Sequence, residues 1–342
     1  MYFIKKLPDV DQLKLEIPIS IKLKRKRELF LKELQGVFEG KVNKKILIIG
    51  PCSADNINAV LLYMEKLAYV AEKVYEKLLI VPRIYTSKPR TTGVGYKGLL
   101  HRPNIKNHKD SIYNGIFAMR NMHLKVIQNT GLFGADEMLY PDATSYIDDL
   151  LSYVAVGARS VENQQHRLVS SGLNIPVGMK NPTSGDVDVL LNAIVAAQSN
   201  QSFIYHGWEC YSKGNVYAHA ILRGYTGINR NACPNYHYEN LCNLYDNYMK
   251  KNLKNMSVII DCNHSNSNKH YDEQIRISKE ILHTCKNSMA LNGFVKGLMI
   301  ESYLVDGCQM LGEGIFGKSI TDPCLGWGKS EKLIYDIADN LY

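Results

Sequence analysis

Continuous runs of apolar residues, separated by stretches with helical spacing, recur along the chain from residue 45 onward. Their residues are apolar throughout rather than alternating, which is typical of parallel strands covered on both faces. The eight runs that predict strands are KILIIGP (45–51), LLIVPRIY (78–85), LFGADEML (132–139), YVAVGAR (153–159), IPVGMKN (175–181), FIYHGW (203–208), SVIIDCNH (257–264) and VKGLMIES (295–302).

Between these runs the apolar residues recur every three or four positions, which predicts amphipathic helices. These helices are expected at 57–77, 145–153 and 186–198, with others centred near 113–130, 160–171, 236–255, 272–290 and 330–341. Eight strands that are each followed by a helix match the (β/α)8 TIM barrel, an α/β fold. We therefore predict a catalytic barrel over residues 45–342 and an N-terminal arm over residues 1–44, used for oligomer contacts or regulation.

The barrel prediction also locates the chemistry, because catalytic side chains in TIM barrels lie where strands end and the following loops begin. Most residues at these positions are chargeable or metal-binding groups that contribute little to a core. They are Cys52, Arg83, Glu137, Arg159, Lys180, His264 and Glu301. Their recurrence at strand ends predicts an active site at one mouth of the barrel.

The segment RIYTSKPRTTG (83–93) follows a predicted strand and is strongly cationic. Arg83, Lys88 and Arg90 occur here together with five hydroxyl side chains and no acid. Guanidinium and ammonium groups concentrated in this way favour an anionic ligand, because phosphate and carboxylate oxygens accept their hydrogen bonds.

The composition is that of a globular protein, with 45% hydrophobic and 22% charged residues in 342. No run of about 18 apolar residues occurs, and the sequence MYFIKKLPDVDQ lacks the apolar core of a signal peptide. We therefore predict a cytoplasmic protein that does not act at a membrane.

The net charge of +8 allows nucleic acid, a membrane surface or small anionic substrates as partners. The only dense basic run, KLKRKRELFLKEL (22–34), is interpreted as a solvated helix face opposite an apolar stripe of Ile21, Leu23, Leu29, Phe30 and Leu34. No nucleic-acid recognition motif accompanies it. We expect no nucleic-acid partner, and a binding protein that keeps the barrel without turnover is the alternative from another class.

The hexapeptide GVGYKG (93–98) matches the GxGxxG pattern of dinucleotide sites. That pattern binds a dinucleotide only where it joins a strand directly to a helix. Here it follows a cationic loop, and Pro103 interrupts any helix after it. We therefore predict no nicotinamide cofactor.

Eight motifs occur in one order over about residues 40–330: IIGPCSADN, KPRTT, GARSVENQQHR, PVGMKNPTSGD, ILRG, DCNHSNSNK, IESYLVDG and SITDPCLGW. Together they closely resemble the class I 3-deoxy-D-arabino-heptulosonate 7-phosphate (DAHP) synthases. KPRT separates them from the cousin family that makes an eight-carbon sugar acid phosphate. The resemblance implies a transferase at the first step of the shikimate pathway to aromatic amino acids, which condenses phosphoenolpyruvate with erythrose 4-phosphate to give DAHP and phosphate.

The resemblance also implies roles for the cations. It assigns the phosphate and carboxylate of phosphoenolpyruvate to Arg83, Arg159, Lys180 and Arg223, and the phosphate of erythrose 4-phosphate to Pro89, Arg90 and Thr91. Lys88 is the candidate that contacts substrate and donates a proton to the nascent alkoxide. We expect its cationic neighbours to make that proton easier to give. Glu137 is the candidate that orients or deprotonates the attacking water.

The remaining implication is one divalent metal ion, held by Cys52, His264, Glu301 and Asp322. The spacing of these residues carries no metal signature of its own. Their sulfur, nitrogen and oxygen donors accept manganese, iron, cobalt or zinc, and the affinity order does not choose among them.

Family analogy further implies a homodimer or homotetramer and allows an aromatic amino acid effector, which the sequence does not identify. The segment DEMLYPDATSY (136–146) and the short arm differ from the enterobacterial pattern. The alternative enzyme is another aldol-type synthase that joins phosphoenolpyruvate to a different phosphosugar aldehyde.

Overall fold

The computed structural model describes residues 1–90, 92–104 and 111–341. Its main sheet contains eight parallel strands: Lys45–Gly50, Leu78–Pro82, Ala135–Glu137, Tyr153–Val156, Val177–Lys180, Ala218–Leu222, Val258–Asp261 and Val295–Glu301. Neighbours along the chain are neighbours in the sheet, except that the second and third strands form its two ends, and the eighth strand pairs with the first. A bridge between Arg83 and Ala135 joins the second strand to the third, so the barrel is nearly closed. The predicted TIM barrel is confirmed.

The helices surround the strands in the predicted alternation. Several begin at a side chain that caps the first turn, since the side-chain oxygens of Asn56, Ser111, Asn163 and Asp186 accept backbone N–H groups. The helices are Val10–Glu16, Ile21–Phe38, Ile57–Val74, Ile112–Thr130, Pro141–Thr144, Gln164–Gly172, Val187–Gln198, Tyr238–Lys251, Glu273–Asn287, Met289–Phe294 and Trp327–Asp339.

Both faces of the barrel strands are buried, which explains their continuous apolar runs. In the first strand, Leu47 and Ile49 pack against the surrounding helices, whereas Ile46 and Ile48 belong to the cluster inside the barrel. Within the described ranges, no helix has the length and apolar character needed to cross a membrane.

The prediction that FIYHGW (203–208) is a barrel strand was wrong. Gln201–Tyr205 and Trp208–Ser212 form an antiparallel hairpin outside the barrel, turning at His206 and Gly207, which both have positive φ. Ile204 and Trp208 are 76% and 73% exposed, so the apolar run does not mark a core strand. The sixth barrel strand is Ala218–Leu222, whose alanine-rich sequence has little β propensity.

The predicted helix at 145–153 was also wrong. The helix here is the short Pro141–Thr144, and turns closed by hydrogen bonds such as Leu150 N–H to the Ile147 carbonyl follow it. Asp148 and Asp149 in these turns pair with Lys14 and Arg120 at 2.6 and 2.7 Å. The sequence pattern indicated that these two acids lie on the exposed face of a helix. In the structure they instead form ion pairs with residues that are distant in sequence.

The arm covers one end of the barrel. Leu34, Val37 and Phe38 of its long helix pack into the cluster inside the barrel, and the Phe38 ring lies 4.4 Å from the ring of His219. The remaining strands are short two-stranded pairs: Tyr225–Thr226 with Ala232–Cys233, and Val305–Cys308 with Lys318–Ser319.

The apolar stripe predicted for the arm helix is only partly correct. Leu23 and Phe30 are partly buried against the protein, but Ile21 and Leu29 are 74% and 67% exposed. The solvated cation face also has an exception, because the Arg27 guanidinium donates to the carbonyl oxygens of Leu151 and Asp148 at 2.7 Å. The helix therefore docks on both apolar and polar contacts.

Candidate active site

The side chains at the carboxyl ends of the strands converge at one end of the barrel. Three of them are the last residues of their strands, namely Glu137, Lys180 and Glu301. The others follow their strands by one to three residues, because the chain there leaves the sheet and turns across the mouth. These are Cys52, Arg83, Arg159, Arg223 and His264.

Three of the four predicted metal ligands form one cluster. Ligand atoms of Cys52, Glu301 and Asp322 all lie within 4.8 Å of one another. The fourth, His264, lies beside this cluster, with its Nε2 atom 3.8 Å from Glu301 Oε1. Glu301 Oε1 is buried and accepts no well-aligned hydrogen bond among the described residues, although Arg83 Nη2 lies 2.8 Å away, so it faces cationic groups as an oxygen that can bind a cation would.

The carboxylate of Glu301 is held in place from several sides. Asn263 Nδ2 donates to its Oε2 atom at 2.6 Å, and the Gln274 side chain brackets its backbone N–H and carbonyl. Burial alone would raise the pKa of this carboxyl, but the neighbouring Arg83, His264 and Lys88 outweigh it and hold the pKa below its usual value. Glu301 is therefore an ionised oxygen donor.

Asp261 is a site residue that the sequence analysis missed. It is fully buried, and its Oδ2 atom lies 2.9 Å from His264 Nδ1 and 3.3 Å from Lys180 Nζ. Burial alone would raise the pKa of Asp261. The neighbouring His264, Lys180 and Arg83 have the larger effect and hold the pKa well below its ordinary value. The carboxylate thus orients one predicted metal ligand and one predicted substrate cation. Its position as the last residue of the seventh strand was the available signal.

Arg83 is buried beside Glu301. Its Nη2 atom lies 2.8 Å from Glu301 Oε1, its Nη1 atom donates to the Pro51 carbonyl, and its guanidinium stacks 3.7 Å from the centre of the Tyr85 ring. Among the described residues, Arg83 Nε has no hydrogen-bond partner. The Nε–H group of Arg83 therefore remains available to an anion.

Lys88 reaches back to the end of the first strand. Its ammonium donates to the Cys52 carbonyl oxygen at 3.0 Å and to the Cys52 sulfur at 3.1 Å. Burial lowers the pKa of Lys88, but Cys52, Glu301 and Glu137 raise it more, so the pKa lies above its ordinary value. The expectation that cationic neighbours would lower this pKa was wrong, because Arg83 is outnumbered by acidic groups. Burial and then Glu301 raise the pKa of the Cys52 thiol.

A second group of cations follows the fourth and sixth strands, on either side of the strand that ends at Lys180. Arg223 Nη1 donates to Ser265 Oγ at 3.0 Å, and its backbone N–H donates to Asn181 Oδ1 at 2.9 Å. Arg159 is exposed and makes no hydrogen bond or ion pair with the part of the chain that the structure describes. Burial first and Arg159 next lower the pKa of Arg223, although Asp261 raises it. The repulsion between these two guanidinium groups would be relieved by an anion bound between them.

The KPRT segment continues this cationic surface. Pro89 and Arg90 are half-buried, and Arg90 Nε donates to the Tyr96 carbonyl at 2.8 Å. Thr91, which we predicted to contact the sugar phosphate, lies outside the described residues.

Glu137 projects over a residue without a side chain. A Cβ atom built on Gly157 would lie only 2.3 Å from Glu137 Oε1. The carboxylate therefore occupies the space that any larger residue at 157 would fill. The first residue after the fourth strand must be glycine for Glu137 to hold this position.

Comparisons with known proteins agree with this geometry. The family model described as "DAHP synthetase I family" matches residues 17–334. Phospho-2-dehydro-3-deoxyheptonate aldolase from Haemophilus influenzae is 35% identical over 315 residues, which cover 90% of the chain and 84% of the relative. The Tyr-sensitive aldolase of the same name from Escherichia coli is 32% identical over 340 residues, which cover 97% of the chain and 92% of the relative.

A solved structure gives the same result over the whole fold. The phospho-2-dehydro-3-deoxyheptonate aldolase from Francisella tularensis superposes with a TM-score of 0.92 at 31% identity, covering 100% of the chain and 98% of that protein. The matched span includes every candidate site residue, from Cys52 to Asp322. The chain belongs to the DAHP synthetase I family.

Proposed function

We propose that the chain is a metal-dependent DAHP synthase that condenses phosphoenolpyruvate with erythrose 4-phosphate and releases phosphate. The observation that carries this proposal is the meeting of a sulfur and carboxylate donor cluster with buried and exposed cations at one barrel mouth. Family membership supports the same activity. Both substrates are phosphate esters, and such a mouth can hold two polyanions side by side.

The residues present fit one divalent ion. Cys52, Glu301 and Asp322 would supply a thiolate and two carboxylate oxygens, and His264 an imidazole nitrogen. When bound, the ion supplies Lewis-acid polarisation of the sugar aldehyde. This mixed donor set suits manganese, iron, cobalt or zinc.

The cations divide between the two substrates. Arg83, Lys180, Arg159 and Arg223 would bind the phosphate and carboxylate of phosphoenolpyruvate, with Asp261 holding Lys180 in place. Arginine suits this role because its planar fork meets phosphate and carboxylate oxygens in pairs. Pro89, Arg90 and Thr91 would bind the phosphate of erythrose 4-phosphate.

The chemistry then follows from the position of Lys88 and Glu137. Carbon 3 of phosphoenolpyruvate attacks the aldehyde carbon, and Lys88 donates a proton to the aldehyde oxygen as it becomes an alkoxide. Its raised pKa keeps Lys88 protonated at neutral pH. Glu137 takes a proton from the water that adds to carbon 2, and phosphate leaves from that carbon by C–O cleavage.

We also propose an oligomeric state and an effector. A homodimer or homotetramer is supported by apolar side chains that the single chain leaves exposed, such as Phe3, Ile204 and Trp208. An aromatic amino acid effector is supported by relatives named Phe-, Trp- and Tyr-sensitive. The cytoplasmic location stays a prediction.

The test is release of phosphate from phosphoenolpyruvate in the presence of erythrose 4-phosphate, measured after chelation and again after adding back each metal. We expect no turnover without metal, and recovery with at least one of the four. Preference for arabinose 5-phosphate would instead favour the alternative aldol-type synthase, and RNA binding without turnover would favour the non-enzymatic alternative. Each aromatic amino acid is added in turn to identify an effector.

A further inference from the structure

The backbones of the second and third barrel strands meet at only one bridge in the described residues, between Arg83 and Ala135. At that bridge, Ile84 N–H donates to the Ala135 carbonyl at 2.9 Å. In a continued parallel ladder, Thr86 N–H would next donate to the Glu137 carbonyl, and Glu137 N–H to the Ile84 carbonyl. Neither bond forms, because the strands diverge at this point.

The side chain of Asp136 replaces both missing bonds. Its Oδ1 atom accepts Thr86 N–H at 2.9 Å and Glu137 N–H at 2.7 Å. One carboxylate oxygen therefore satisfies one donor from each side of the gap. This arrangement fixes the distance between the two segments where the ladder no longer does.

The second oxygen of Asp136 is equally occupied. Thr86 Oγ1 donates to Oδ2 at 2.5 Å, and His123 Nε2 lies 3.1 Å from it. Asp136 and His123 are both buried, so these contacts are sheltered from water. A buried carboxylate with four polar partners restricts its neighbours strongly, since releasing any of them leaves a buried polar group unpaired.

The two segments that Asp136 joins carry the two candidates for proton transfer. Thr86 precedes Lys88 by two residues, and Glu137 directly follows Asp136. We propose that Asp136, supported by His123, is a positioning residue that sets the separation of the Lys88 ammonium from the Glu137 carboxylate. This inference rests on the proposed function, because it assigns those two groups their roles.

The kinetic test compares three variants in the phosphate-release assay. We expect Asp136→Ala to lower kcat by about 10²-fold, because misplacement near 1 Å has that effect, and to change KM for phosphoenolpyruvate by less than about threefold. Asp136→Asn keeps an oxygen acceptor for the two amides and should retain most of kcat. The matched control is Asp149→Ala, which removes a carboxylate from buried Arg120 in the turns before the fourth strand, at the end opposite the site, and should leave kcat unchanged.

Three kinetic outcomes would overturn the proposal. One is a wild-type kcat in Asp136→Ala, and another is an Asp136→Asn variant as impaired as Asp136→Ala, which would mean that charge rather than geometry matters. The third is an equal loss in the Asp149→Ala control. Should Asp136→Ala not fold, Thr86→Val removes one donor and should lower kcat about fivefold; an unchanged kcat would contradict the proposal.

Hydrogen exchange separates this inference from the proposed function, because it needs no turnover. In Asp136→Ala the amides of Thr86 and Glu137 should exchange faster than in the wild type, while amides of the first strand stay protected. Unchanged exchange at both positions would overturn the positioning role. If the amides of Thr86 and Glu137 are protected in the wild type and exchange faster in Asp136→Ala, but the wild type releases no phosphate, only the proposed function would be overturned.

Discussion

The ammonium of Lys88 lies 3.1 Å from the sulfur of Cys52, so the candidate proton donor directly contacts a candidate metal ligand. The loop that follows the second strand thus returns to the end of the first strand. The contact also explains why Lys88 stays protonated, because neighbouring acidic groups raise its pKa despite burial.

Lys88→Met should lower kcat by about 10²–10⁴-fold, the usual contribution of a positioned proton donor. KM for phosphoenolpyruvate should change little, since its oxygens are assigned to other cations. Steady-state kinetics with both substrates measures the two parameters, and Lys279→Met, on an exposed helix face, is the control. A large rise in KM with an unchanged kcat would make Lys88 a binding residue only.

Cys52→Ala should weaken the response to added metal. Removing a residue that only hydrogen-bonds a metal ligand reduces the affinity for the metal about 10–100-fold. Loss of a ligand itself should reduce that affinity at least as much. Half-saturation is measured by metal add-back after chelation, together with the metal content of the purified protein. Cys285→Ala, which removes a buried thiol at a distance from the site, should match the wild type. An unchanged half-saturation in Cys52→Ala would exclude ligation.

Much of this site could be predicted from the sequence. Once the strands of a barrel are identified, the residues at their carboxyl ends are known to lie close together in space. Cys52, Lys180 and Glu301 were found in this way. Asp261 and Asp136 were not, since a single acid at the end of an apolar run also occurs as a cap or an ion-pair partner. Each role also depends on one partner that is distant in sequence, Thr86 for Asp136 and Lys180 for Asp261.

The fold shows the same division. Strands rich in valine and isoleucine were identified, whereas the alanine-rich strand Ala218–Leu222 was missed in favour of the exposed hairpin at 203–208. Tertiary packing decides such cases, because burial of small residues between helices outweighs their low intrinsic β propensity. The Lys88 pKa was mispredicted for a related reason: the acidic groups around it, Cys52, Glu137 and Glu301, come from three separate segments.

Arg159→Ala should raise KM for phosphoenolpyruvate by about tenfold or more, because an anion loses a charge-assisted partner. Arg159 makes no hydrogen bond or ion pair in the described structure, so its removal should not change thermal stability. Arg25→Ala is the matched control, because Arg25 is exposed on the helix Ile21–Phe38 and makes no hydrogen bond or ion pair with the described residues. An effect confined to erythrose 4-phosphate would mean that the two phosphate positions are exchanged.

Gly157→Ala should reduce kcat without unfolding the protein. The new Cβ would lie 2.3 Å from Glu137 Oε1, and the flexible carboxylate can move away at little cost in stability but loses its position. We expect a fall in kcat of about 10²-fold. Gly328→Ala, where nothing lies within 4 Å of the new atom, should be silent in the same assay and melting experiment. Full activity in Gly157→Ala would show that the position of Glu137 is unimportant.

His219 should make the fold less stable in acid. Its imidazole is fully buried between Tyr153, whose hydroxyl lies 2.7 Å from Nε2, and the Tyr217 carbonyl, 2.8 Å from Nδ1. Burial lowers its pKa from 6.5 to about 4, so the unfolded chain binds a proton more readily than the native one. The contribution of neutral His219 to the free energy of unfolding is therefore fully present above pH 6.5 and is lost as the pH falls toward 4.

Denaturant unfolding at a series of pH values measures this effect. Between pH 6.5 and 4, the free energy of unfolding should fall by about 3 kcal/mol more in the wild type than in His219→Gln, which cannot be protonated. The variant starts from a lower stability, but only the difference in slope is diagnostic, because carboxylates titrate equally in both proteins. Parallel pH profiles would mean that His219 gains its proton without unfolding the barrel, and that the end covered by Phe38 admits water.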